Sequence, residues 1–229
     1  MADSRKDPEV FWVEPRRRAI LPIDGFHLSR SLAKVLRKNK FRVTCNAAFD
    51  RVIEACAAPR ADHPESWISA RIEASYMQLH TLGHAHSIEC WSGEELVGGL
   101  YGVGFDGVFC GESMFSRATD ASKVALAWLV AALRRAGAGL LDCQFMTEHL
   151  ASLGAVEISQ QRYLELLAAA QAGAPAGVGD GVGVAPGSSP WSLSGSALSL
   201  PEAFELLLRE AGNAGASGKS IAQSLTHTS

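Results

Sequence analysis

Two apolar runs, Leu96–Val103 and Val108–Cys110, flank the turn signal Phe105-Asp106-Gly107, a pattern that predicts a β-hairpin. Its second strand is expected to end near Cys110, with Glu112 just past it. An earlier run, Ala85–Trp91, connects to the first strand through Ser92-Gly93-Glu94-Glu95, so the three segments read as an antiparallel meander. About thirty residues later a further apolar segment, Leu140–Gln144, has the length of a short strand. The period of two places Asp142 and Gln144 on one face and Cys143 on the other. Three polar groups at the ends of two apolar strands point to a site.

Around these strands the apolar spacing turns helical. His27–Lys38 carries Leu28, Leu32, Val35 and Leu36 on one side and basic residues on the others. Phe41–Cys45 reads as a short strand, and Asn46 as the N-cap of a helix over Ala47–Ala57 with Phe49, Val52, Ile53 and Cys56 as its stripe. A helix over Ser66–Leu82 buries Trp67, Ile68, Ile72, Tyr76 and Leu79 and ends at Gly83. Ala121–Ala136 is a helix stopped by Gly137, and Ser159–Ala170 a last one with Tyr163, Leu166 and Leu167 facing inward. Residues 1–15 hold one apolar cluster, Phe11-Trp12-Val13, expected to pack onto the body. From Gln171 to Ser189 the composition shifts to Gly, Ala, Pro and Ser, that of a flexible linker. Leu200–Ala211 can form a short helix, and Gly218–Ser229 is expected to be poorly ordered. The chain thus divides into an N-terminal part with a basic helix (1–42), a catalytic domain (43–171) and a flexible tail (172–229).

Charge changes the picture in one place. Residues 16–42 contain nine Lys/Arg (Arg16, Arg17, Arg18, Arg30, Lys34, Arg37, Lys38, Lys40, Arg42) against Asp24, a net +8 that leaves the other 202 residues at −11. Such a segment fits either an anionic polymer, whose counterions it releases, or a solvated helix face. The longest apolar stretch, Val124–Leu133, has ten residues, half of the roughly 20 a membrane-spanning helix needs. A polar N-terminus and five cysteines (45, 56, 90, 110, 143) without CxxC spacing point to the cytoplasm and to free thiols.

Several residues invite chemistry. Glu112, Asp142 and Gln144 suit acid–base or positioning work, although carboxylates at strand ends also serve as caps or ion-pair partners. His80, His84, His86 and Cys90 match no closed zinc spacing, and Cys143 sits inside an apolar strand where a thiol is unreactive. No metal is therefore expected. The order helix, antiparallel strands, helix, strand, helix predicts an α+β, acyltransferase-like (GNAT-related) mixed sheet flanked by helices. Acyltransferases of that fold cradle a coenzyme pyrophosphate on a glycine-rich loop. Here the corresponding loop, Ser116–Ser122, has no glycine, which disfavours a coenzyme A donor.

From Trp12 to about Leu167 the chain resembles the bacterial leucyl/phenylalanyl-tRNA–protein transferases. The resemblance rests on His27-Leu-Ser-Arg-Ser, Phe41-Arg-Val-Thr-Cys-Asn-Ala-Ala-Phe, Thr81-Leu-Gly-His-Ala-His-Ser-Ile-Glu, Glu95-Leu-Val-Gly-Gly-Leu-Tyr-Gly-Val, Phe109-Cys-Gly-Glu-Ser-Met-Phe-Ser, Ala121-Ser-Lys, Leu141-Asp-Cys-Gln and Ala151-Ser-Leu-Gly-Ala. It implies transfer of leucine or phenylalanine, and less well methionine, from aminoacyl-tRNA to proteins with N-terminal Lys or Arg, which marks them for degradation. No cofactor is implied, and a monomer is expected. By the same resemblance Glu112 contacts the acceptor's N-terminal end, and Asp142 and Gln144 act at its attacking amino group. Trp67, Leu100, Phe109, Leu129 and Ser113 match positions that bind substrate. Arg16, Arg17, Arg30, Lys34, Arg37, Lys38 and Arg42 would hold the tRNA. Family members begin with a further region containing a Gly-Ile-Phe-Pro-Trp-like segment, and Met1 stands where that segment ends. The expectation is therefore a truncated N-terminal region, with an inactive tRNA-binding module or an acetyl-CoA-dependent N-acyltransferase as alternatives.

Overall fold

The predicted meander is the centre of a larger sheet. In the computed structural model, which describes residues 1–7, 9–59, 65–173, 198–213 and 217–226, the order is β1 (Arg17–Ile20), α1 (Arg30–Arg37), β2 (Arg42–Cys45), α2 (Phe49–Ala57), α3 (Ala70–Thr81), β3 (Ala85–Ser92), β4 (Glu95–Phe105), β5 (Val108–Ser116), α4 (Ala121–Ala136), β6 (Leu140–Gln144), α5 (Glu148–Ser152), β7 (Val156–Ser159), α6 (Gln160–Gln171), α7 (Leu200–Asn213) and α8 (Ser217–Ser224). The seven strands lie in the order β2-β3-β4-β5-β6-β1-β7. Every pairing is antiparallel except β5 with β6, which α4 connects in parallel. Helices α1 and α4 cover one face of this mixed sheet, with α7 and α8 packed outside them. On the other face α2 and α3 lie over β3 to β5, and α6 lies over β1 and β5 to β7. The site forms on this second face, between α3 and α6. Among the described residues no helix is long and apolar enough to cross a membrane.

Helix α4 and strand β6 have the expected bounds because their signals are local. Gly137, at φ 68°, donates to the Leu133 and Arg134 carbonyls and ends the helix. Gly83, at φ 80°, likewise follows α3, although that helix begins only at Ala70, after Trp67 and Ile68. Asn46 is not the cap of α2. At φ 57° it accepts from the Ser87 N–H at 2.9 Å and bonds the His86 ring at 3.0 Å, and α2 starts at Phe49 without a side-chain cap of its own. The segment before α2 is held by a distant carboxylate instead. Glu89, fully buried on β3, accepts from the Ala47 N–H at 3.4 Å and from the hydroxyls of Thr44 and Ser87, each at 2.5 Å. Burial pushes its carboxyl up, and these donors oppose the shift.

Strand β5 differs most from expectation. It runs to Ser116, because β4 is long enough to pair the polar stretch Gly111–Ser116 as well as the apolar one, and Glu112 therefore lies inside the strand rather than past it. Strands β1 and β7 were hidden by the charged run Arg16–Arg18 and by their length of four residues each. The N-terminal segment also differs. Ala2 is the residue that buries itself, its N–H bonded to the Trp67 carbonyl at 3.2 Å, whereas Trp12 is 98% exposed.

The presumed linker lies mostly outside the described residues, but beyond it two helices dock on the core. Leu200, Ala203 and Phe204 form the buried stripe of α7, with Phe204 against Trp128 of α4 at 5.2 Å between ring centroids. Where poor order was expected, α8 buries Ile221 and Ala222 completely, and the Gly218 N–H donates to Asn39 at 2.7 Å. Apolar spacing at i, i+3 and i+4 carries enough burial for short helices once a neighbour covers them.

Close packing explains one glycine of the central strand. A Cβ on Gly102 would stand 2.2 Å from the Cys110 carbonyl oxygen and 2.5 Å from the Phe109 ring. Gly102→Ala should therefore cost about 1–3 kcal/mol, read as a lower urea midpoint at unchanged m. An unchanged midpoint would contradict this packing.

Candidate active site

The site begins where a ladder opens. Strands β5 and β6 pair at Val108–Leu140, Phe109–Leu141 and Cys110–Asp142 and no further, after which β5 stays with β4 and β6 with β1. Each strand then breaks its own alternation. On β5, Gly111 faces Gly102 and Ser113 faces Tyr101, so Glu112 is the extra residue of a β-bulge. On β6, Asp142 pairs with Ile20 and Gln144 with Ala19, which leaves Cys143 as the extra residue. Glu112 and Gln144 thus stand two residues past the last pair, on opposite sides of the opening.

Asp142 holds one side of it. The carboxylate is fully buried and lies in the fork of Arg18, with Nη2–Oδ2 at 2.5 Å and Nε at 3.1 Å from each oxygen. The Tyr163 hydroxyl donates to Oδ2 at 3.1 Å, the Cys110 thiol donates as well, and the backbone N–H of Gln144 donates to Oδ1 at 2.9 Å. Arg18 also sits over the Tyr163 ring, 4.4 Å from its centroid. Asp142 has its acceptor positions filled and no exposed surface. Its carboxylate fixes the backbone of Gln144.

That backbone is unusual. Gln144 has φ 61°, and the Phe145 N–H donates back to the Cys143 carbonyl at 2.8 Å, a γ-turn with positive φ at its centre. Such turns are strained for a residue with a Cβ and persist where surrounding bonds over-determine them.

Glu112 receives the result. Burial pushes its carboxyl above the ordinary value, while hydrogen bonds from Tyr76 and Gln144 oppose that shift; the Asp142 charge adds to it and Arg18 subtracts. A carboxamide carries both donors and an acceptor, so Gln144 can face Glu112 with its NH2 and keep its carbonyl oxygen for another donor. The opening thus brings a carboxyl and a carboxamide together. Tyr76 itself packs edge-on to Tyr101 at 5.1 Å.

The remaining expected site residues are divided by the sheet. Leu100, Phe109 and Leu129 belong to the core on the α4 face, whereas Trp67 packs with the core beneath α2 and α3, and Ser113 pairs with Tyr101 on β5. Of the expected tRNA-binding residues, Arg30, Lys34, Arg37 and Lys38 are exposed on α1, and Arg42 follows on β2 over Trp91. Arg16 and Arg17 lie at β1, five strand spacings from β2, about 24 Å away, and Arg17 pairs with Glu157. Burial pushes the Cys110 and Cys143 thiols up to about 12, away from a reactive thiolate. His80 bonds the Ala85 carbonyl at 2.8 Å and stacks on Phe49.

Sequence reading missed Arg18, Tyr76 and Tyr163 as site members. Arg18 was one of three consecutive arginines, and only its position one residue before an apolar Ala-Ile-Leu run distinguished it. The two tyrosines were read as inward faces of helices without partners.

Comparison places this arrangement in a known class of enzyme. Residues 20–168 match the family model of leucyl/phenylalanyl-tRNA protein transferase, and the chain belongs to that family of aminoacyltransferases. A Novosphingobium aromaticivorans leucyl/phenylalanyl-tRNA–protein transferase is 63% identical over 239 residues, covering 100% of this chain and 91% of that protein. Proteins of the same name from Zymomonas mobilis and Ruegeria pomeroyi are 59% and 53% identical over 74% and 76% of this chain, and over 63% and 81% of their own lengths.

The raised Glu112 carboxyl has a signature in stability. Below the ordinary value near 4.5 both folded and unfolded chains are protonated. As pH rises through the raised folded value, the unfolded chain gains from ionising first, and stability is lost. Glu112→Gln should therefore gain stability relative to the unsubstituted protein between pH 4 and 7, measured by urea unfolding at each pH. A difference that is flat with pH would contradict the buried, raised carboxyl.

Proposed function

We propose that the opening between β5 and β6 is where the amino acid of an aminoacyl-tRNA is transferred to a protein's α-amino group. The donors are leucyl- and phenylalanyl-tRNA, with methionyl-tRNA poorer, and the acceptors begin with Lys or Arg and are thereby marked for degradation. The enzyme works in the cytoplasm as a monomer, and its opened ladder suits an acyltransferase-like fold. The observation that carries the reading is the end of the β5–β6 ladder at Cys110–Asp142, with Glu112 and Gln144 two residues beyond it on the two strands.

The reaction makes modest demands. An aminoacyl ester is already activated, and an α-amino group with a pKa near 8 is partly neutral at pH 7, so positioning supplies much of the rate. The acceptor's amine donates an N–H to the free carbonyl oxygen of Gln144, which aims the nitrogen lone pair at the ester carbon. Glu112 attracts the positively charged N-terminal end. Attack forms the tetrahedral intermediate, the C–O bond to the ribose breaks, and the proton released by the amine ends on the leaving ribose oxygen. Gln144 orients and does not become protonated. The α1 cations together with Arg42 hold tRNA phosphates without reading sequence, and Trp67, on the face of the sheet that carries the opening, contributes to the apolar surface that accepts the donor side chain.

Gln144→Ala should lower kcat for leucine transfer to an Arg-initiated peptide by about 100-fold with little change in KM for leucyl-tRNA. An undiminished kcat would remove Gln144 from the chemistry. Leucyl-tRNA affinity should fall steeply with salt, and Lys34→Ala and Arg37→Ala should each reduce the slope of log K against log salt by about 1. A slope unchanged by both would take α1 out of the tRNA interface.

A further inference from the structure

We propose that Arg18 and Tyr163 are positioning residues of the transfer reaction: acting through Asp142, they hold the Gln144 backbone in its positive-φ turn at the end of β6, across the opening from Glu112. The inference rests on the role given to Gln144 above. Its physical basis is a single chain of contacts. Arg18 from β1 and Tyr163 from α6 fill Asp142 from two elements that also pack together through Ile20. The same carboxylate accepts the Gln144 N–H, and this bond fixes a turn that a side-chain-bearing residue does not adopt unaided.

Arg18 is well suited to this task and poorly suited to binding phosphate. It is the half-buried member of an otherwise exposed basic run, its guanidinium is engaged on both edges of one carboxylate, and its flat side rests on Tyr163. A lysine would keep the charge but lose the fork, so the carboxylate could rotate and release the Gln144 N–H. Tyr163 closes the remaining side. Loss of either contact should loosen the aim of the amide without touching a substrate.

Non-additivity separates this from ordinary support of the fold. Arg18→Lys and Tyr163→Phe, the second a loss of one hydroxyl that leaves folding intact, are assayed alone and combined with Gln144→Ala, using leucyl-tRNA and an Arg-initiated peptide with the full chain. Each single change should lower kcat roughly tenfold and leave KM for leucyl-tRNA within about twofold, whereas neither should slow the Gln144→Ala enzyme further by more than about twofold. Full additive losses in the Gln144→Ala background, or a raised KM at unchanged kcat, would overturn the positioning role while leaving Gln144 in place. A Gln144→Ala enzyme as fast as the unsubstituted one would instead overturn the role of Gln144 itself, and this inference with it.

Discussion

A fully buried carboxylate must have its charge met, and the way Asp142 meets that requirement organises the site. Arg18 arrives from the β1 strand, Tyr163 from α6 and Cys110 from β5, so three elements distant in sequence converge on one side chain at the last rung of the β5–β6 ladder. Removing one partner of such a group leaves an uncompensated charge in a low-dielectric interior, which is costly. The network is thus bound into the sheet. Its one remaining hydrogen-bonding capacity goes to the next strand position but one, the Gln144 N–H.

The opening itself follows from two local irregularities. A bulge at Glu112 and an extra residue at Cys143 end the parallel pairing, and each re-aims the polar side chain beside it. Both irregularities flank the proposed site, as strain commonly does at functional positions.

Much of this frame was legible in the sequence where the signal was local. Ala121–Ala136 ended at Gly137 because a left-handed glycine stops a helix, and Leu140–Gln144 stood out as an apolar strand between glycine and polar residues. Glu112, Asp142 and Gln144 stood out because they interrupt apolar runs. What could not be read was long-range. Polar Gly111–Ser116 is strand only because β4 is there to pair it; Asn46 turns from α2 to the Ser87 N–H, forty-odd residues away in sequence. Arg18 was indistinguishable from Arg16 and Arg17 until β1 was seen beside β6. The burial of Asp142 and its partners were unreadable for the same reason, since they are properties of the assembled sheet.

Membership of the leucyl/phenylalanyl-tRNA–protein transferase family is established by sequence, and the mechanism proposed for it has the Gln144 amide oxygen, on a backbone held by Asp142, orient the attacking amine. The most direct test is a crystal structure of the protein with an uncleavable leucyl-adenosine amide. The account predicts the leucyl carbonyl at the mouth of the β5–β6 opening, with the Gln144 amide oxygen within hydrogen-bond reach, or one water, of the path an attacking nitrogen must take. An analogue seated elsewhere on the fold, with Gln144 turned away from it, would contradict the account.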